Sequence, residues 1–197
     1  MPSGGTYLFG YGSLVNRRSL ARALGREVAA EELRPARLGG WRRTWGAAER
    51  VIPNGQTEAM WAAFLDLELD LAARVNGVLI AVTAAERSSL GARERGYTCV
   101  EVTNHVIVEP GLQVALLDAT RTFTFAGRKE PAPVGEVVLR EYLRLVEEGF
   151  AALGPEQLAE FRRSTDPAGA PFIDGPYRFA DAGQNALTTW GADHDHA

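Results

Sequence analysis

The sequence predicts a mixed α+β fold: a small, mostly antiparallel β-barrel with helices packed outside it. Three observations carry that prediction. Short apolar β-type runs recur between glycine and proline turns through the first two-thirds of the chain. Helical periodicity is concentrated in a few segments, most strongly in the last third. Strand and helix also fail to alternate regularly enough for a doubly wound parallel sheet. With 197 residues, 46% of them hydrophobic, the chain has the size and composition to bury one sizeable core. We read residues 1–165 as the folded domain and 166–197 as an extended tail that either wraps it or is partly disordered.

The elements follow in order. Residues 7–16 read Tyr-Leu-Phe-Gly-Tyr-Gly-Ser-Leu-Val-Asn, an apolar strand that breaks at Gly10–Ser13 and passes into a helix-compatible stretch through Leu20 and Leu24. A second strand runs from Leu38 to Trp45, and Pro53-Asn54-Gly55 marks a loop within 46–58. Ala59–Leu67 and Gly77–Val82 are further strands, with a helical turn expected over Glu68–Arg74. Thr83 and Glu86 have capping-box spacing, so a helix is predicted from Ala84 to about Arg93, stopped by Gly96. Strand patterning resumes at Tyr97–Val102, Val106–Val108, Val114–Leu117 and Thr122–Phe125. Apolar residues from Val134 to Leu153 then recur at helical spacing, predicting one long amphipathic helix whose stripe packs on the core or serves a homodimer. Gly154-Pro155 opens a last helix to about Arg163.

Charge and cysteine usage exclude several function classes. A net charge of −4 argues against nucleic acid as the principal partner. Arg34, Arg37, Arg42 and Arg43 read as a solvated face or as a cluster attracting an acidic small molecule, and Trp41 and Trp45 as core residues rather than base-stacking platforms. The single cysteine, Cys99, allows no intrachain disulfide and reads as a buried, inert thiol in a strand. No apolar run approaches the roughly 20 residues of a membrane span, and the N-terminus lacks signal-peptide form. The expected setting is the cytoplasm, with no membrane partner.

Two segments carry chemistry. The Gly10-Tyr11-Gly12-Ser13 turn lets a ligand approach the backbone closely, and the following helix start offers unpaired N–H groups to a carboxylate or oxyanion. Some eighty residues later, Glu94 stands at the end of the capped helix between Arg93 and Arg95, just before Gly96-Tyr97. The helix dipole raises the proton affinity of a carboxylate there and the arginines lower it, so the sequence leaves the balance open.

Taken together, Phe-Gly-Tyr-Gly-Ser-Leu, the Arg-Glu-x-Gly-Tyr segment, Gly40-Trp41-Arg42-Arg43 and Asn76-Gly77-Val78 resemble the γ-glutamylcyclotransferase superfamily, in its ChaC-like or AIG2-like branch. The resemblance spans about residues 7–125. It implies that Leu8, Phe9, Gly10, Tyr11, Gly12 and Ser13 hold a γ-glutamyl group and that Glu94 is the general acid and base. It also implies a small-molecule γ-glutamyl substrate, release of 5-oxoproline, and no metal or other cofactor. The family's further tyrosine on a later strand falls here at Phe123 and Phe125.

Competing readings are weaker. Ser13 with His105 as a hydrolytic pair lacks the Gly-x-Ser-x-Gly elbow and an orienting acid. His194-Asp195-His196, in the tail, is a poor preformed metal site. A non-catalytic binding or interaction module on the same scaffold would make Glu94 structural.

Overall fold

A computed structural model describes residues 5–108, 121–128 and 134–188. Among them, nine strands form one mixed sheet. Its spine is a pair of long antiparallel strands, β2 (Arg34–Pro53) and β3 (Met60–Val82), in register from Arg34↔Leu79 to Val51↔Met60. Shifts of register between Gly39 and Trp41 and between Thr44 and Ala47 divide the pair into two wings.

In the first wing, β1 (Thr6–Gly10) lies antiparallel on the second half of β3 and parallel to β6 (Arg121–Arg128). Strand β4 (Tyr97–Glu101) pairs with β6, and the short β5 (Val106–Ile107) extends β2. In the second wing, β7 (Val137–Leu139) joins the first half of β3, β8 (Phe172–Ile173) joins β7, and β9 (Tyr177–Phe179) joins the far end of β2. The Tyr97 hydroxyl donates to the Leu65 carbonyl at 3.2 Å, so the wings meet across the interior.

Five helices complete the α+β architecture among the described residues: α1 (Arg17–Leu24), α2 (Ala84–Arg93), α3 (Arg140–Leu153), α4 (Pro155–Arg163) and α5 (Ala182–Thr188). The predicted capping box is present, with Thr83 Oγ1 accepting from the Glu86 N–H at 3.2 Å and Glu86 accepting from the Thr83 N–H at 2.7 Å. Asn16 caps α1, its Oδ1 accepting from the N–H groups of Arg18 and Ser19. Its amide also donates to the Leu145 carbonyl at 3.2 Å and so ties α1 to α3.

Several expectations need correction. The second strand does not stop at Trp45 but runs to Pro53, and the helical turn expected over Glu68–Arg74 is instead strand with residues 70–73 bulged out. The bulges let polar and apolar residues change faces, which breaks the period-2 pattern that a strand would show. The long helix expected from Val134 begins only at Arg140, because Val137-Val138-Leu139 pairs with β3 and β8; a β-branched run fits a strand as well as a buried stripe.

Cys99 is exposed rather than buried, on the outer face of β4. The expected solvated arginine face also divides: Arg42 is exposed, Arg37 makes a bidentate pair with Glu160 at 2.7 Å, and Arg43 is fully buried. Val114–Leu117 and His194-Asp195-His196 lie outside the described residues. No described helix is long and apolar enough to cross a membrane.

Candidate active site

A pocket opens where the two wings face each other. Leu8, Phe9, Gly10, Tyr11, Gly12, Ser13 and Glu94, singled out from sequence, all line it. The structure thus brings the opening turn and the end of α2 together across some eighty residues of chain.

The turn leaves β1 at Gly10 and enters a single 3-10 turn, Ser13–Val15, before Asn16 starts α1. Neither Gly10 nor Gly12 has a left-handed φ, so space rather than backbone freedom explains them. A Cβ on Gly12 would stand 3.2 Å from the Tyr142 hydroxyl and 3.8 Å from Leu65 Cβ. Gly77 on β3 supports the turn from behind: a Cβ there would overlap the Gly10 carbonyl oxygen and approach Phe9 Cζ to 2.6 Å. Among the described residues, the N–H groups of Tyr11, Gly12 and Ser13 have no hydrogen-bond acceptor. They are available to a ligand oxygen.

Glu94 is the C-cap residue of α2, its N–H donating to the Leu90 carbonyl at 2.8 Å and its carbonyl accepting from the Tyr97 N–H at 2.9 Å. Its side chain is 17% exposed. Desolvation raises its pKa above the ordinary carboxylate value and Glu49 pushes the same way, while Arg93 opposes both. The competition that the sequence left open is decided by burial, in favour of the proton.

Arg93 is the residue that sequence reasoning passed over. Almost fully buried, it donates to Ser19 O and Ser19 Oγ at 3.1 Å and to Ser13 Oγ at 3.4 Å, and its Nε lies 3.2 Å from Glu94 Oε1. One guanidinium therefore locks the turn, α1 and the carboxylate into a common geometry, which its planar fork of donors suits. Its position beside Glu94 at the end of a capped helix was the available signal.

Phenols supply the remaining polar lining. Tyr11 donates to the Phe125 carbonyl at 2.7 Å, Tyr97 to Leu65 O, and the Tyr142 oxygen accepts from Leu65 N–H at 3.4 Å. Burial raises the pKa of Tyr11, Tyr97, Tyr142 and Tyr177, so all four are neutral near pH 7. Phe125 lines the pocket, and phenols reach it from α3 and β9. Tyr142 was hidden in the apolar stripe of its helix, and Tyr177 in a segment without periodicity.

The hydrolytic alternative is not assembled. His105 is exposed, with Nδ1 3.2 Å from Gly39 O and its ring edge-on to Trp41. No described histidine lines the pocket. Among the described residues, no three His, Cys, Asp or Glu side chains are grouped to hold a metal ion.

No protein-family model and no curated protein matches the chain. Solved structures do match. An uncharacterized human protein, loc79017, superposes with a TM-score of 0.52 over 93% of this chain and 98% of its own, at 16% identity. A γ-glutamyl cyclotransferase structure matches with a TM-score of 0.47 over 94% of this chain and 99% of its own, at 14% identity. A yeast γ-glutamyl cyclotransferase specific to glutathione matches with a TM-score of 0.42 over 98% of this chain and 100% of its own, at 14% identity. The chain shares the overall fold of the human protein across nearly the whole length of both.

Proposed function

We propose that the chain is a γ-glutamylcyclotransferase-like enzyme that cyclises a γ-glutamyl amine or peptide to 5-oxoproline and releases the amine. The observation that supports it most is the placing of a carboxylate of raised proton affinity in one pocket with a turn of unpaired N–H groups.

The chemistry fits those parts. The γ-glutamyl group lies along the turn, with the N–H groups of Tyr11, Gly12 and Ser13 on its α-carboxylate or on the γ-oxygen as charge develops there. Glu94 takes a proton from the α-ammonium. The freed nitrogen attacks the γ-carbonyl carbon, forming the ring C–N bond, and the bond to the leaving nitrogen breaks. Glu94 returns its proton to that nitrogen. Over the whole reaction two protons leave the α-nitrogen and two reach the departing amine, which emerges as an ammonium ion. Because attack is intramolecular, holding the folded-back conformer supplies much of the acceleration. One carboxylate serving as base and then acid is best placed with a pKa shifted toward the working pH. Ser13 acts through Arg93 and the backbone, not as a nucleophile.

The deciding experiment incubates the purified chain with a panel of γ-glutamyl amino acids, amines and peptides and measures 5-oxoproline chromatographically. Release from at least one compound, absent in a Glu94→Gln control, is expected; no release from any would overturn the reading. Gly12→Val tests the turn separately. Its branched side chain meets the Tyr142 hydroxyl and fills the floor, so calorimetry should show at least tenfold weaker binding of a γ-glutamyl ligand. Unchanged affinity would remove the turn from the site.

A further inference from the structure

Resting on the cyclotransfer reading, we infer that the C-terminal segment 177–185 forms the subsite for the leaving amine, and that this subsite takes an amine bearing no carboxylate. Glu94 must reach the leaving nitrogen, so the leaving group extends past Glu94. The next residue, Arg95, pairs with Asp181 at 2.7 Å, which places the start of α5 immediately beyond the carboxylate. Tyr177, Phe179 and Gln184 line the pocket from this side.

The segment is held firmly enough to act as a wall. Strand β9 pairs with β2 through Tyr177↔Pro53 and Phe179↔Val51. Asn185 closes both backbone groups of Phe179, accepting from its N–H at 2.7 Å and donating to its carbonyl at 2.6 Å. Asp181 Oδ1 accepts from Gln184 N–H at 2.8 Å and so fixes the start of α5.

The wall is aromatic. Phe179 stacks on Phe64 with centroids 5.7 Å apart and meets Tyr177 at 5.6 Å, while Phe64 meets Tyr142 edge-on at 4.8 Å. Such a surface gains from covering the carbon chain of an amine. A carboxylate on the leaving group would need a cation in this partly desolvated space. Among the described residues, the pocket's two arginines are committed: Arg93 to Ser13, Ser19 and Glu94, and Arg95 to Asp181. Glu49, also on the lining, adds negative charge.

The test uses three γ-glutamyl compounds, made from methylamine, butylamine and 4-aminobutyrate. The last two differ only by a terminal methyl against a carboxylate. The wild type should show at least tenfold higher kcat/KM for the butylamide than for the 4-aminobutyrate compound. Phe179→Ala should lower the butylamide value, through KM, at least threefold more than it lowers the methylamide value. A general structural defect would lower both equally. Gln184→Lys, which adds a cation to the wall, should move the preference at least tenfold toward the 4-aminobutyrate compound. Methylamide turnover with equal or reversed preference in the wild type would overturn the subsite while leaving cyclotransfer standing. No 5-oxoproline and no calorimetric binding with all three would overturn both.

Discussion

Glu94→Gln is expected to slow 5-oxoproline release by about a thousandfold or more while leaving the fold and ligand affinity intact. A positioned acid or base contributes roughly 10²–10⁴-fold, and in the proposed reaction a single side chain serves in both directions, which places its loss toward the upper end. The amide keeps the volume of the carboxylate and an oxygen facing Arg93 Nε, so the Arg93 links to Ser13 and Ser19 have no reason to break. Single-turnover release of 5-oxoproline, with ligand affinity measured alongside, separates the two effects. Turnover within tenfold of wild type would remove Glu94 from the proton-transfer steps.

The same substitution has a stability signature whose sign follows from burial. The Glu94 carboxyl is raised in the folded state, so the fold binds its proton more tightly than the unfolded chain does. Its favourable contribution is fully present below the unfolded pKa and is lost as pH rises through the higher folded value. Above that window the ionised carboxylate is a cost that glutamine removes. Glu94→Gln should therefore melt at or above the wild-type temperature at pH 8, and relatively lower at pH 4. The acid limb of the wild-type kcat/KM profile should fall above the ordinary glutamate value, since only the ionised form accepts the first proton. A melting difference independent of pH would contradict the shift.

What was readable in the sequence was local. The Gly10–Ser13 turn, the Thr83–Glu86 capping box and the placing of Glu94 at the helix end depend on short-range hydrogen bonding, which composition and spacing report directly. What was not readable depends on partners distant in the chain. Bulges erase the alternation of β2 and β3, and Val137–Leu139 becomes strand only because β3 offers an edge. Gly77 reads only as the start of a strand until it is seen against the Gly10 carbonyl. Tyr142 reads as packing until α3 turns it into the pocket. The far wall of the site comes from a stretch of glycine, alanine and aspartate with no periodicity to reveal Tyr177 and Phe179.

Arg43 is the extreme case, and its removal is expected to produce a large loss of stability. On sequence it belongs to a basic cluster; in the fold it is fully buried beneath α3 and α4. Among the described residues, no carboxylate lies within hydrogen-bond reach of it. Its Nη1 donates to Ser164 Oγ at 3.2 Å and Thr165 Oγ1 at 3.1 Å, its Nη2 to the Asn76 carbonyl, and it lies 4.9 Å from the ring centre of Phe161 and 5.3 Å from that of Phe150. Burial pushes its pKa down to about 9, which still leaves it charged at neutral pH. Neutral oxygens and ring faces thus spread the charge in place of a counter-ion. Arg43→Ala opens a cavity and leaves those oxygens unpaired, costing about 4 kcal/mol, or roughly 8–16 °C in Tm for a domain this size. Arg43→Met fills most of the volume and should recover the cavity part only. The damage should also reach the site: Asn76, held by Arg43 and by Gln157 O at 2.8 Å, precedes the glycine that packs on Gly10. Urea unfolding measures the first effect, and ligand affinity at low temperature, where the variant is folded, measures the second. An Arg43→Ala protein melting within about 2 °C of wild type would show that the buried guanidinium contributes nothing net.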